Sequence, residues 1–399
     1  MKVCMINNLY PPYVRGGAEQ VVAKTVQGLQ KDDHHIVVIT TAPNGGWKEM
    51  DQETTIYRYK PKSVFFYTKA YKHSFILRFI WHLVDMFHLG SARYVWKVLK
   101  EEKPDVVHTH NLMGLGFLIP FVIRRLGLRH IHTVHDVQLV EPSGIILKQK
   151  EKSWRYAGFP TKVYAVIMRI LMGSPEVVIS PSQFLLNFYR HKKFFKKSNC
   201  VLVRNPITFD IEVGTTEKKT GENFRFLYLG QVEGHKGVDF LVDSFLDLSR
   251  GSYQNCELHI VGDGSLLSVI EEKVGKYDKI ALYGRMKRAE LPPLFRRMDM
   301  MIVPSLCYEN SPTVIFESFA FGLPVLASNI EGIAELIQEG ENGLTFEAGD
   351  SVSLLEKIRW CLDHKDQIIG MKEKTTQSLR GLALSDYIEK LSSLYKKNS

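Results

Sequence analysis

The residues best suited to chemistry are densest in the segment Pro304-Ser305-Leu306-Cys307-Tyr308-Glu309-Asn310-Ser311-Pro312-Thr313-Val314-Ile315-Phe316-Glu317. A strand ending near Pro304 and a helix beginning near Pro312 suit a proline in the first helical turn. Asn310, Ser311, Pro312, Thr313 and Val314 then surround a helix N-terminus, where unpaired backbone N–H groups accommodate an anion. Glu309 falls in the loop, and Glu317 about one and a half turns into the helix. The two carboxylates can therefore grip different parts of one ligand. Two glutamates near a helix start are also ordinary partners of the helix dipole, so the pair gains meaning only from its surroundings.

Gly-rich turns from strand to helix occur at Gly16-Gly17 and at Gly230, Gly234 and Gly237. Neither is a G-x-G-x-x-G fingerprint, and no phosphate loop of the form G-x-x-x-x-G-K-[ST] occurs, which counts against hydride transfer and P-loop hydrolysis. His135, at the top of a strand and followed by Asp136, is the best catalytic candidate of the first half, although a lone strand-end histidine is more often a structural hydrogen-bonder. His108 and His110 alternate on a strand and point to the same side. A zinc reading of that pair lacks a third ligand nearby. Between Lys60 and Lys100 the cations Lys60, Lys62, Lys69, Lys72, Arg78, Arg93, Lys97 and Lys100 face only Asp85. Rings are interleaved with them, Phe65, Phe66 and Tyr67 first. Such a mixture fits an anionic membrane surface, with rings at headgroup depth. The plainer reading makes residues 75–89 a buried crossover helix with solvated flanks.

These residues must be held by a framework, and short β-branched runs alternating with amphipathic stretches predict βα units and parallel sheets. One set of strands reads 3–8, 35–41, 54–59, 105–110, 130–135 and 177–180. A second reads 224–230, 257–261, 280–284, 300–304, 325–328 and 344–346. The polar, aperiodic stretch 207–223 between them reads as a linker, and 384–397 is a helical pattern with no strand after it, expected to cross back to the first domain. The expected divisions are 1–206, 207–223, 224–380 and 381–399.

The chain has 399 residues, 45% hydrophobic and 24% charged, enough for two domains and unlike a disordered, collagenous or coiled-coil chain. Five widely spaced cysteines without a C-x-x-C pair argue against a disulfide framework or a structural zinc site. The first residues lack the pattern of a signal peptide, and the longest stretch without a charged residue, 106–123, contains two histidines, an asparagine and a proline. The expected location is cytoplasmic, with peripheral attachment to the inner face of the plasma membrane as a further expectation. Net charge is +9 and unevenly placed: residues 1–206 hold 30 Lys and Arg against 14 Asp and Glu, residues 207–399 hold 22 against 29. A basic first half faces something anionic.

Glu309 and Glu317 in the spacing E-x7-E, followed by Ser318-Phe319-Ala320-Phe321-Gly322-Leu323-Pro324-Val325, resemble the donor-binding signature of glycosyltransferase family 4. Gly16-Gly17-Ala18-Glu19, His108-Thr109-His110-Asn111, Thr133-Val134-His135-Asp136, Ser180-Pro181-Ser182, Asn205-Pro206, Gly230 to Gly237, Val261-Gly262-Asp263-Gly264 and Gly332-Ile333-Ala334-Glu335 are similar to further family elements in the family's order. The resemblance implies an α/β GT-B fold, two Rossmann-like parallel-sheet domains facing a central cleft, with the acceptor on the first and the nucleotide sugar on the second. It implies a retaining hexosyltransferase using a nucleoside-diphosphate sugar, a UDP-sugar first and GDP-mannose second. The acceptor would be a glycan or lipid-linked molecule of cell-surface polysaccharide, lipopolysaccharide or glycoconjugate synthesis.

By the same resemblance Glu309 would accept from donor-sugar hydroxyls, residues 310–314 would supply backbone donors, and Glu317 would hold the ribose diol, since each carboxylate oxygen can accept from a hydroxyl. Lys236 would neutralise the diphosphate, aided by the amides of Gly16 and Gly17, and His135 would sit against the sugar. No metal and no other cofactor is expected. One departure stands out: Gln231 occupies the place of an arginine that in most family members pairs with the lysine, and a glutamine brings no charge. Arg285 is the candidate substitute. A sugar phosphorylase or sugar-phosphate synthase with a soluble acceptor is the alternative within the same fold. A basic nucleic-acid-binding protein is disfavoured, because the rings lie among apolar runs rather than on a stacking platform.

Overall fold

An apolar run becomes a central strand of a parallel sheet when both of its faces are covered, and here that condition is met twice. The computed structural model describes residues 1–209, 223–249 and 255–396. They form two compact units, one of Met1–Gly144, Ser153–Thr208 and the C-terminal segment from Leu382, the other of Ile145–Lys152 and the described parts of Phe209–Gly381. Most of the predicted linker, 210–222, lies outside the described residues, as does Lys397 at the end of the predicted C-terminal helix.

The first unit holds β1 (Lys2–Ile6), β2 (His35–Thr41), β3 (Trp47–Asp51), β4 (Thr54–Tyr59), β5 (Val106–Thr109), β6 (Arg129–Thr133), β7 (Val177–Ser180) and β8 (Asn199–Leu202). Their order in the sheet is β3-β4-β2-β1-β5-β6-β7-β8, and only β3 runs antiparallel to its neighbour. The six predicted strands are all present. β3 and β8 are additions at the two edges, where Trp47-Lys48-Glu49-Met50-Asp51 is too polar to read as a buried strand. Val3, Met5, Val38, Ile131 and Ile179 form a core with Val22, Val26 and Leu29 of the helix Gly17–Lys31. The C-terminal helix Leu384–Tyr395 adds Tyr387, Ile388, Leu391 and Tyr395 to that cluster, and burial of each large apolar side chain stabilises the docked helix by about 1.5–3 kcal/mol. Gly28 makes the contact possible, since a Cβ there would lie 2.5 Å from Ile388 Cγ1. Arg129 donates to the carbonyls of Leu394 and Tyr395, groups that a helix end leaves unpaired.

The second unit holds β9 (Phe224–Leu229), β10 (Cys256–Val261), β11 (Ile280–Leu282), β12 (Met300–Val303), β13 (Val325–Ser328) and β14 (Gly343–Phe346), paired in the order β11-β10-β9-β12-β13-β14. All five pairings are parallel, and all six strands coincide with predicted ones. Phe226, Leu258, Ile260, Met300 and Ile302 carry the core with Phe245 of the helix Val238–Ser249.

In each sheet the chain moves outward one way and then the other, reversing between β1 and β5 and between β9 and β12. Open α/β sheets bind ligands beyond the carboxyl ends of their strands at such a reversal. The turns after β1 and β5 carry Gly16, Gly17 and His110, and those after β9 and β12 carry Lys236 and Glu309.

Candidate active site

In the second unit, the turn after β9 is built by backbone packed on backbone. Gly237 has φ +74°, and a Cβ there would lie 1.9 Å from the carbonyl oxygen of Pro304. Only glycine lets the Lys236 turn lie against the strand end that leads to Glu309. Lys236 Nζ consequently donates to Glu309 Oε1 at 2.5 Å, and Ser305 Oγ donates to the same oxygen at 2.9 Å. Burial works against the charge on Lys236, but the Glu309 carboxylate outweighs it and holds the ammonium above the ordinary lysine range. On the other side of the loop the amide of Gly332 donates to the Glu309 carbonyl at 3.2 Å, and a Cβ on Gly332 would lie 2.0 Å from the Asn310 carbonyl oxygen. The loop carrying Glu309 is thus held from both sides.

The helix itself runs Thr313–Ala320 with Pro312 as its N-cap, so Asn310 and Ser311 precede it and Thr313 and Val314 open its first turn. Glu317 is its fifth residue and is buried, and Arg288 Nη2 donates to Glu317 Oε1 at 3.1 Å. The Arg288 guanidinium also lies 3.9 Å from the centre of the Phe209 ring. Each glutamate of the E-x7-E pair therefore carries its own cation. Arg285, the expected substitute for the missing arginine, is exposed, and no hydrogen bond or ion pair ties it to Lys236, Glu309 or Glu317. Gln231 accepts a hydrogen bond at its carbonyl from the Tyr228 hydroxyl at 2.6 Å, which fixes the turn's backbone.

Sequence reasoning missed Arg288, whose local context is that of any solvated arginine after a strand. It also missed the segment Ile145–Lys152, which belongs to the second unit and braces the Glu309 loop. Lys148 N–H donates to the Leu306 carbonyl and Tyr308 N–H to that of Ile146, both at 2.9 Å. The Tyr308 hydroxyl donates to Glu151 at 2.6 Å, and Lys148 pairs with Glu331.

In the first unit, alternation along β5 and β6 sorts five histidines onto the two faces of the sheet. The rings of His108 and His110 lie with centres 4.2 Å apart and planes tilted by 32°. His130 Nε2 and His132 Nδ1 meet Thr109 Oγ1 at 2.8 and 2.9 Å. His135 follows β6, and its Nε2 lies 2.9 Å from His110 Nδ1. His108, His110, His130 and His132 are buried and His135 is partly exposed at the edge of the layer, an environment that disfavours the imidazolium. Burial pushes His135 down to about 4 and His132 down to about 3, and lowers the other three as well. Asp136 is pushed up to about 6 by the same burial. Gly16 is less available than expected, because its amide donates to Glu19 Oε2 at 2.8 Å as the helix Gly17–Lys31 begins.

The predicted membrane segment needs correcting. Phe65 and Tyr67 are buried with Leu9 and Trp81, and Phe66 is partly buried against them. Phe65 stacks on His73 and Trp81, and Trp81 Nε1 donates to its carbonyl at 2.9 Å. These rings fill the space beneath a helix, so they cannot enter a headgroup layer. Lys60, Lys62 and Lys69 are exposed, while the side chain of Lys72 lies outside the described residues. The helix Phe75–Met86 is not a buried crossover either. Trp81, Asp85 and Met86 are buried, but Ile76 is 69% and Phe79 56% exposed, with Ile80 and Leu83 also open. The helix Phe159–Met172 likewise shows Phe159, Val163, Val166 and Ile170 along one outer stripe. Residues 152–175 contain no Asp or Glu. Among the described residues no helix is long and apolar enough to cross a membrane, and no group of three or more His, Cys, Asp or Glu is placed to hold a metal ion.

A fold of two parallel-sheet units with chemistry at both switch points is that of GT-B glycosyltransferases, and comparison with known proteins agrees. The model of Glycosyltransferase Family 4 matches residues 15–210, and that of Glycosyl transferases group 1 matches residues 223–364. The chain belongs to this family and is a glycosyltransferase. A 42.6 kDa protein of the cps region of Klebsiella pneumoniae, itself uncharacterized, is 22% identical over 84% of this chain and 87% of its own. Among solved structures, sucrose-phosphate synthase from Thermosynechococcus elongatus superposes with a TM-score of 0.75 at 15% identity, covering 99% of this chain and 98% of that one. Anabaena HepE in complex with UDP and glucose superposes with a TM-score of 0.71 at 16% identity, covering 99% of each chain.

Proposed function

We propose that this glycosyltransferase moves a hexose from a UDP-sugar to a glycan or lipid-linked acceptor of cell-surface polysaccharide synthesis, with retention of anomeric configuration and without a catalytic metal. The observation that carries the reading is the Lys236–Glu309 pair, an ammonium and a carboxylate neutralising one another at the switch point beside a helix N-terminus. When a donor enters, Lys236 turns to the diphosphate, and Glu309 is released to accept from sugar hydroxyls. Negative charge develops on the departing diphosphate, and a preorganised ammonium with helix-terminal amides in a partly dry site stabilises it most where it is greatest. Glu317 binds the ribose diol. Arg288, seated on Glu317, takes the part expected of Arg285 and is the second positive group of the donor site. His135, neutral at physiological pH, orients the transferred sugar by hydrogen bonding and is not a general base.

UDP as the nucleotide is supported by HepE, whose structure contains UDP and glucose, and a polysaccharide acceptor by the relative from a cps region. For an acceptor at an anionic membrane, the supporting feature is the surface of the first unit. Exposed apolar stripes on the helices Phe75–Met86 and Phe159–Met172, with exposed Arg78 on the first and Arg155 and Lys162 at the start of the second, replace Phe65, Phe66 and Tyr67 as the inserting groups.

The test is a panel of UDP-, GDP- and ADP-sugars incubated with the purified protein, following donor hydrolysis and the anomeric configuration of the product. Turnover of one UDP-sugar with retention is the expected result. Turnover that requires inorganic phosphate or a sugar phosphate as acceptor would assign the chain to the sugar-phosphate branch instead, and no turnover of any donor would refute the reading.

A further inference from the structure

We propose that His110 is a positioning residue that fixes His135 as its Nδ1–H tautomer, so that His135 meets the substrate as a hydrogen-bond donor from Nδ1. The inference rests on the reading of His135 as a substrate contact given above. It begins from the hydrogen bond between His110 Nδ1 and His135 Nε2, 2.9 Å long, with ring centres 5.2 Å apart and planes within 28° of parallel.

Two neutral imidazoles that share one hydrogen bond must divide the roles, one ring nitrogen donating and the other accepting. If His135 donated from Nε2, His110 Nδ1 would be bare and the His110 proton would sit on Nε2. That atom is buried and has no hydrogen-bond partner among the described residues. A buried N–H without an acceptor is the rarer and more costly orphan. If His110 donates from Nδ1, its Nε2 is left only with a lone pair, and His135 Nε2 is the acceptor. The proton of His135 is then on Nδ1.

The rest of the layer keeps His110 where this requires it. His108, its ring centre 4.2 Å from that of His110, is itself bonded at both nitrogens, Nδ1 to the Tyr395 hydroxyl and Nε2 to Thr133 Oγ1, each at 2.7 Å. Tyr395 ends the C-terminal helix, so that helix is joined to His135 by three successive side-chain contacts. A donor from Nδ1 suits the lone pairs of a sugar hydroxyl or a phosphate oxygen, and a bare Nδ1 would suit neither phosphate nor an ether oxygen. His110 therefore selects which oxygens His135 can hold.

The experiment uses the full chain labelled with 15N in histidine, with long-range 1H–15N spectra assigned through His135→Gln. The expected result is His135 unprotonated at Nε2 and protonated at Nδ1 in the wild type. In His110→Phe the His135 signals shift towards the Nε2–H form, and kcat with UDP-glucose falls about tenfold, or about 1.4 kcal/mol, with donor KM within about twofold. His110→Asn, whose side-chain amide places an N–H where Nδ1 was, restores both. A wild-type His135 protonated at Nε2 overturns the proposal, and that measurement decides it even where His110→Phe does not fold. A wild-type spectrum and kcat in His110→Phe overturn it equally. Failure of every nucleotide sugar to turn over would instead reject the assigned function and leave the tautomer readable.

Discussion

Acid should dismantle the first unit selectively. Six of its histidines, His82, His108, His110, His130, His132 and His135, are held neutral, chiefly by burial. His82 and His135 are lowered to about 4, and His132 to about 3. In the unfolded chain each titrates near 6.5, so between that value and the folded one the unfolded state binds the extra proton. The stability these rings contribute is complete above about pH 6.5 and is lost as pH falls towards their folded values. From pH 7 to 5.5 the loss is about 1 kcal/mol for each ring and about 6 kcal/mol for the six. Two carboxyls of the same unit act with the opposite sign. Burial raises Asp85 to about 7 and Asp136 to about 6, so the folded state takes up protons that the unfolded chain refuses at these pH values. They return about 2 kcal/mol, and Glu19, also raised by burial, adds to their side. The net change is a loss of about 4 kcal/mol, a large part of the 5–15 kcal/mol that holds a domain together. Urea unfolding at pH 7 and 5.5, followed by tryptophan fluorescence, measures it. Trp47, Trp81, Trp96 and Trp154 report on the first unit and Trp360 alone on the second. A first-unit transition with the same midpoint at both pH values would show that the histidines are not buried as a neutral layer.

At the donor site, Glu309→Ala should lower turnover at least about a hundredfold, the scale of losing a preorganised charged contact to the reacting sugar. Wild-type turnover at saturating donor would remove Glu309 from the mechanism. Glu317→Ala should chiefly raise the donor KM, by about ten- to a hundredfold for one charge-assisted hydrogen bond, and Arg288→Ala should follow it in direction. An effect confined to kcat would place the ribose elsewhere. Excess EDTA should leave the rate within about twofold, against the several kcal/mol that a catalytic metal supplies; loss restored by Mg²⁺ or Mn²⁺ would sink the metal-free mechanism. The full chain should sediment with anionic but not neutral liposomes and be released by salt. Ile76→Ser with Phe79→Ser should weaken that binding while leaving donor hydrolysis unchanged, and equal pelleting on both lipids would return these helices to plain solvent exposure.

The parts legible from sequence were those written in local periodicity and in contiguous spacing. The apolar runs that became β1, β12 and β13 are buried on both faces, as the inner strands of a parallel sheet are. Glu309 and Glu317 lie within one turn and one helix, so their relation is nearly fixed by the chain itself. Burial is different in kind. Phe65, Tyr67 and Phe79 are equally aromatic and belong to the same basic stretch, yet two are covered and one is exposed. The difference arises because Trp81, 16 residues beyond Phe65, folds back onto it and donates to its carbonyl. Arg288 reaches Glu317 across 29 residues, and nothing near either residue marks the pairing.

The histidine layer lies between these cases. Alternation alone puts His108 with His110 and His130 with His132, but which pair faces which depends on the register of β5 against β6, where Thr109 stands opposite His132. A slip of one residue would exchange the faces. His110 would then lose His135, and Tyr395 would lose His108. The hydrogen bonds of Thr109 to His130 and His132 and of Thr133 to His108 grip the two strands from opposite faces, and each can form only in the register that also brings His110 to His135. The polar contacts that specify the pairing of these strands therefore also place the first unit's catalytic candidate, which is a physical reason for five titratable rings to occupy a layer that apolar side chains would fill at less risk from acid.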